Sequence, residues 1–142
     1  RVDQHDDDGR LRVVDYKTGK PPTGKRVQAL EAPQLALGLA IAVRGGLVHA
    51  GQPLPGGPAG GIEYWQLQGG RKQAGTVSNP LGKNGDIAAH LDEVVQRAAA
   101  LAAHYLLAQN PFPAKLRPAW AWQEYDHLAR VGEWINRRGT AA

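Results

Sequence analysis

The sequence predicts an α/β or α+β sandwich, a small sheet flanked by helices. Two observations predict it. Segments of strand and helix character follow one another in the order strand, strand, helix, strand, helix. The second strand segment, Leu11-Arg12-Val13-Val14, becomes apolar on both faces, as in the middle of a covered sheet. The chain of 142 residues is long enough for one domain with a real core. With 42% hydrophobic and 21% charged residues, its composition is that of an ordinary soluble globular protein.

Each element has its own signal. Residues 1–5 and 10–17 read as strands joined by Asp6-Asp7-Asp8-Gly9, and Asp-Gly between such runs marks a hairpin. Residues 18–31 read as a loop carrying Pro21-Pro22 and a basic group, Lys17, Lys20, Lys25 and Arg26, with no acid before Glu31. Ala32 to Val43 reads as a helix with Pro33 in its first turn, apolar almost all round and therefore buried. Arg44-Gly45-Gly46 ends it. A Gly/Pro-rich loop follows, then a strand at Ile62–Leu67 by β-branched and aromatic content. A second Gly-rich loop runs to about Gly85. Asp86 caps a long helix to about Ala108, whose apolar face is Ile87, Leu91, Val94, Val95, Ala98, Leu101, Ala102 and Tyr105. Asn110-Pro111 stops that helix, and a short one is expected around Tyr125 to Ile135.

Composition excludes some chemistry. Cysteine is absent, so this chain holds no disulfide, thiolate zinc site or cysteine-ligated iron–sulfur cluster. No apolar run approaches the ~20 residues that span a bilayer, and no signal peptide is recognisable, so the expectation is a cytoplasmic protein with no membrane partner. Methionine is absent and Arg1-Val2-Asp3 already has strand character; the expectation is a fragment cut inside a domain. The net charge of +4 suits a polyanionic partner without establishing one.

The chemistry-bearing stretch is Val13-Val14-Asp15-Tyr16-Lys17-Thr18-Gly19-Lys20. Side chains two apart on a strand point to one side, so Asp15 and Lys17 project together. A carboxylate holding a divalent metal stabilises charge on a phosphoryl oxygen and acidifies a bound water. A neighbouring lysine orients that water or neutralises the charge. The competing reading is a surface ion pair at a strand end, worth little energy. Gln34 is the one strongly polar side chain between Ala32 and Val43. It either positions a phosphate or water, or is a wet amide near a helix start.

Two other patterns are set aside. Gly19-Lys20-Pro21-Pro22-Thr23-Gly24-Lys25 has phosphate-loop spacing, but Arg26 replaces the magnesium-binding Ser or Thr and two prolines remove N–H donors. Residues 4–15 approach a calcium loop, but with Gln4 first, Asp15 last and strands on both flanks. The five histidines show no paired metal spacing and read as ordinary residues. The four tryptophans, Trp65, Trp120, Trp122 and Trp134, read as core or edge packing ahead of base stacking.

Asp15-Tyr16-Lys17-Thr18-Gly19-Lys20-Pro21-Pro22, followed by Ala32-Pro33-Gln34-Leu35, resembles the PD-(D/E)XK nuclease domain of AddB, a subunit of the AddAB helicase–nuclease that resects double-strand breaks in bacteria. The closing Tyr125 to Trp134 segment resembles the end of the alphaproteobacterial form. The resemblance covers nearly the whole chain outside the two Gly-rich loops. It implies a restriction-endonuclease-like α/β sandwich, a single partial PD-(D/E)XK domain over 1–142, with loops at about 45–61 and 68–85 and a C-terminal tail at 111–142. It implies Mg2+ (or Mn2+), no iron–sulfur cluster in this form, and cleavage of DNA unwound by an AddA-type helicase–nuclease partner.

Carried over by the resemblance, Asp15 is a metal ligand, Lys17 the catalytic lysine and Gln34 the glutamine of the family's Q-x-x-x-Y motif, whose tyrosine position is Gly38 here. The family reads G-x-x-D-R-x-D ahead of this strand. Arg1-Val2-Asp3 aligns with R-x-D. The resemblance therefore puts the first metal-binding aspartate just before Arg1 and makes Asp3 a neighbour or a substitute ligand. Lys20, Lys25 and Arg26 are expected to hold the DNA backbone, and this stretch alone is expected to be inactive. The competing expectations are a catalytically incomplete module that binds DNA or scaffolds the partner subunit, and an interaction domain with no nucleic-acid role.

Overall fold

In the computed structural model, which describes residues 1–70, 74–108, 110–112, 128 and 130, Val2–Gln4 (β1) and Leu11–Lys17 (β2) form the expected antiparallel hairpin. Gly9 takes φ +67° in its turn, and the His5 N–H donates to the Arg10 carbonyl at 2.9 Å. Ala59–Leu67 (β5) then lies parallel to β2, and Gly75–Ser78 (β6) lies antiparallel to β5. Among the described residues this is a four-stranded mixed sheet in the order β1-β2-β5-β6, with β2 and β5 at its centre. A parallel pair needs a long crossover, and the intervening residues supply it.

That crossover contains Gly24–Gln28 (α1), Gln34–Val43 (α2) and a small hairpin of Val48–His49 (β3) with Gln52–Pro53 (β4). The helix α2 follows Pro33, and its Ala/Leu run is strongly helix-forming. Its Leu35, Ala36, Leu39, Ala40 and Ala42 are buried. They join Leu11 and Val13 of β2, Ile62 and Tyr64 of β5, and Val27 of α1 in one core. Each large side chain in that set contributes about 1.5–3 kcal/mol on burial. Ile41 is exposed, so α2 buries a broad stripe and not its whole circumference.

The helix Ile87–Ala102 (α3) adds Leu91 and Val94 to the core. Asp86 caps it, its Oδ1 accepting the Ala89 N–H at 3.0 Å. The helix was expected to continue to about Ala108. It gives way at Ala103–Leu107 to a single wider π turn, and Leu101 and Ala102 of the expected apolar face are exposed. The alanine-rich run Ala98-Ala99-Ala100 offers little apolar bulk to hold that face down.

Four short elements, α1, β3, β4 and β6, lie inside expected loops. The buried residue of α1, Val27, is a single apolar anchor after two prolines. The β3–β4 turn places Ala50 and Gly51 at φ +48° and +78°, a type I′ geometry reached without the usual Asn-Gly. The strand β6 is short, and a Cβ at Gly75 has no room against the Gln66 carbonyl. β5 also begins three residues early, at Ala59. A bulge between Leu11 and Arg12 accommodates Gly60, where a Cβ would stand 3.0 Å from the Leu11 carbonyl oxygen.

The chain divides into two units, Arg1–Ala100 and Leu101–Ala142. In the second, Tyr105 stacks on Phe112 with centroids 5.0 Å apart, and the Asn110 amide donates to the His104 carbonyl at 2.8 Å. Apart from Leu128 and Arg130, the expected helix at Tyr125 to Ile135 and the rest of that closing segment lie outside the described residues, as do Trp120, Trp122 and Trp134. Among the described residues, no helix is long and apolar enough to cross a membrane.

Candidate active site

Alternation along β2 divides the sheet into two faces. Leu11 and Val13 face α2, where Val13 Cγ1 stands 3.8 Å from the Cβ position of Gly38. Asp15 and Lys17 continue that row past the apolar stretch. Lys17 Nζ lies 2.8 Å from Asp15 Oδ2, with both side chains only partly exposed. The contact is a close, charge-assisted pair, and the Lys17 ammonium is the partner of the buried Asp15 Oδ2 among the described residues.

Tyr64 is the partner of Asp15 in the parallel register, and it is 1% exposed. Burial, with the Asp15 charge adding to it, pushes the Tyr64 phenol above its ordinary value, so the phenol stays protonated. Alternation from Ile62 identifies Tyr64 as a core residue. Its station beside Asp15 depends on a pairing between residues some 49 apart, for which the sequence carries no local signal.

Asp3 is not brought to Asp15. It stands opposite Arg12, on the face that carries Arg12, Val14 and Tyr16. Its carboxylate is engaged by Arg1 Nε at 2.6 Å, and Arg1 Nη1 also reaches the Tyr16 hydroxyl at 3.3 Å. This alternation puts Asp3 and Asp15 on opposite faces of the sheet. The same far face holds the Arg12–Glu63 ion pair at 3.1 Å and Trp65, whose indole N–H donates to Glu63 at 2.9 Å. Trp65 packs edge-on against Tyr16, so it serves the sheet, as its packing reading expects.

Gln34 opens α2 and is exposed, and among the described residues its amide makes no hydrogen bond. No bond joins it to Asp15 or Lys17 among the described residues. Of the basic group, Lys20 and Lys25 are exposed. Arg26 is exposed too, and its Nε lies 3.6 Å from the largely buried Glu31 carboxylate.

Asp15 fits a divalent cation on one observation: its buried Oδ2 is met by the Lys17 ammonium alone among the described residues, with no backbone N–H or other side chain bonded to it. A hard cation satisfies such an oxygen directly. Among the described residues no group of three His, Cys, Asp or Glu side chains gathers around one point, so Asp15 supplies a single ligand.

A buried polar side chain stands near the start of α3. His90 is 8% exposed, and its Nε2 is buried without a hydrogen-bond partner. Three residues after Ile87 and four before Val94, it falls on the apolar face of the helix, a spacing visible in the sequence.

No curated protein and no solved structure matches this chain. A sequence model of the PD-(D/E)XK nuclease superfamily matches residues 1–119, a span that includes Asp15, Lys17 and the whole four-stranded sheet. Nucleases of this superfamily generally depend on a divalent metal. The mixed sheet flanked by helices is consistent with their fold. On a match of this extent, the chain belongs to the PD-(D/E)XK nuclease superfamily.

Proposed function

We propose that this chain carries the nuclease site of an AddAB-type helicase–nuclease, a Mg2+-dependent (or Mn2+-dependent) DNA exonuclease acting in double-strand-break repair. Its partners are DNA and an AddA-type subunit. The observation that carries the reading is the buried Oδ2 of Asp15 paired with the Lys17 ammonium 2.8 Å away. Asp15 holds the metal, which supplies charge stabilisation and an acidified water when bound. Lys17 orients that water or neutralises the phosphoryl oxygens. Lys20, Lys25 and Arg26 hold the strand being cut, and Gln34 supports the phosphate from the first turn of α2. The AddB assignment rests on the D-Y-K-T-G and P-Q-L motifs.

Arg1 stands opposite Val14, the two exchanging backbone hydrogen bonds at 2.8 Å. A residue joined ahead of Arg1 in the same register falls opposite Asp15 and on its face of the sheet. An aspartate placed there would give the metal a second carboxylate.

The test uses a chain extended by an aspartate joined ahead of Arg1, beside the same extension with alanine. The aspartate form is expected to degrade single-stranded DNA with Mg2+, and Lys17→Ala in it to lower the rate by about 10²–10³. Unchanged activity in Lys17→Ala rejects the assignment. A second reading, a DNA-binding module without catalysis, rests on the single carboxylate among the described residues. It is favoured if the extended chain binds DNA and cuts none.

A further inference from the structure

The reverse face of the sheet, behind Asp15 and Lys17, carries a side-chain cluster that the proposed reaction leaves unused. Tyr16 stands between the two site residues on β2, and alternation turns its ring to that reverse face. The ring is held at both its hydroxyl and its edge. Arg1 Nη1 donates to the hydroxyl oxygen at 3.3 Å, and Arg1 is itself oriented by Asp3, whose Oδ1 accepts from Nε at 2.6 Å. Trp65, the register partner of Tyr16 on β5, meets the ring edge-on, with centroids 5.7 Å apart and planes at 84°.

Trp65 is anchored in turn. Its indole N–H donates to Glu63 Oε2 at 2.9 Å, and Glu63 Oε1 takes the Arg12 guanidinium at 3.1 Å. Both oxygens of one largely buried carboxylate are thus engaged. The Arg1 guanidinium also lies 6.0 Å from the centre of the Trp65 ring, at cation–π range. These contacts tie β2 to β5 through Arg12–Glu63 and Tyr16–Trp65, and β1 to both through Arg1.

A hold on residue 16 acts on both its neighbours. The spacing and relative tilt of side chains two apart on a strand are set by the φ and ψ of the residue between them. Asp15 Oδ2 and Lys17 Nζ meet at 2.8 Å, and the lysine reaches that contact on a flexible four-carbon stem. We propose that Tyr16, held by Arg1 with Asp3 and by Trp65 with Glu63 and Arg12, is a positioning residue. From the reverse face it fixes the stretch of β2 that sets Asp15 and Lys17 side by side. Asp3 acts through Arg1 on the Tyr16 hydroxyl. The proposal rests on the nuclease reading above and adds positioning groups to it.

The test uses the aspartate-extended chain and measures Mg2+ affinity by calorimetric titration, and kcat and KM on single-stranded DNA. Tyr16→Ala is expected to weaken Mg2+ binding about tenfold and to lower kcat about tenfold, with KM within about twofold. Asp3→Ala leaves both rings in place and is expected to cost about threefold in each. In a Tyr16→Phe background, where the hydroxyl is gone, Asp3→Ala is expected to add nothing. Leu91→Ala, in the core on α3, controls for lost stability: it is expected to melt lower, with Mg2+ affinity and kcat unchanged where the chain is folded. Native Mg2+ affinity and kcat in a folded Tyr16→Ala chain overturn the positioning role. So does an Asp3→Ala loss as large in Tyr16→Phe as in the native background, which makes Asp3 act directly on the metal. Equal losses in Leu91→Ala overturn it too, by reducing the effect to stability. If Tyr16→Ala does not fold, the Asp3→Ala and Tyr16→Phe comparison decides. An unsubstituted extended chain that neither binds Mg2+ nor cuts overturns the nuclease reading, and the positioning role with it.

Discussion

Asp15 and Tyr64 are directly paired across the two central parallel strands, a charged carboxylate beside a fully buried phenol. The pair marks where the apolar core ends and the polar end of the sheet begins. Tyr64 fills the core beneath Asp15, so its ring matters more than its hydroxyl. Tyr64→Phe is expected to change stability by less than about 1.5 kcal/mol. Tyr64→Ala opens a cavity under the site and is expected to cost about 3–5 kcal/mol. Urea unfolding of the two variants checks this, and equal losses reject it.

The Asp15–Lys17 ion pair sets the second prediction. In metal-free buffer, Asp15→Asn removes this partly exposed pair, and the expected stability change is within about 1 kcal/mol. Mg2+ or Mn2+ is expected to raise the melting temperature of the aspartate-extended chain, because a ligand of the folded state stabilises it by mass action. That rise is expected to vanish in Asp15→Asn. Calorimetric titration of the metal is the independent check, and equal metal binding by both forms contradicts the role of Asp15.

Much of this site is legible in the sequence because it is local. Asp15 and Lys17 are two apart on a strand, and period-two alternation alone puts them on one face. The Asp86 cap and the Leu91/Val94 stripe follow from helical spacing in the same way. Asp3 shows the limit. Its distance from Asp15 in sequence says nothing of its face until the hairpin register is known, and Arg12 opposite it fixes that face. The strand β6 and the helix α1 were missed because each is held by few apolar contacts, one of them Val27. Gln34 has the composition signal of a functional residue, yet a helix start leaves its amide in water.

His90 gives a pH dependence with a definite sign. Its folded pKa is lowered, first by burial, with Glu93 opposing, while in the unfolded chain it titrates near 6.5. Above that pH both states hold a neutral ring and His90 contributes no pH dependence. As the pH falls below about 6.5 the unfolded chain takes up a proton first, so stability falls until the folded pKa is passed. Melting from pH 7.5 to 5 is therefore expected to decline more steeply for the native chain than for His90→Gln. The other histidines and carboxylates contribute alike to both curves. Parallel curves contradict the buried, neutral ring.

The basic residues after β2 are not equivalent, and salt dependence separates them. Each lysine that neutralises a phosphate of single-stranded DNA releases counterion, adding about 0.7 to the slope of log affinity against log salt. Lys20 and Lys25 are exposed, and replacing either by alanine is expected to lower the slope by about that amount. Arg26 stands 3.6 Å from the Glu31 carboxylate, which already compensates part of its charge. Arg26→Ala is expected to change the slope by less than either lysine, and Glu31→Gln to raise affinity by releasing Arg26 toward the phosphate. A slope that falls most in Arg26→Ala, with Glu31→Gln silent, places the backbone contact on the arginine and removes the lysines from the strand's path.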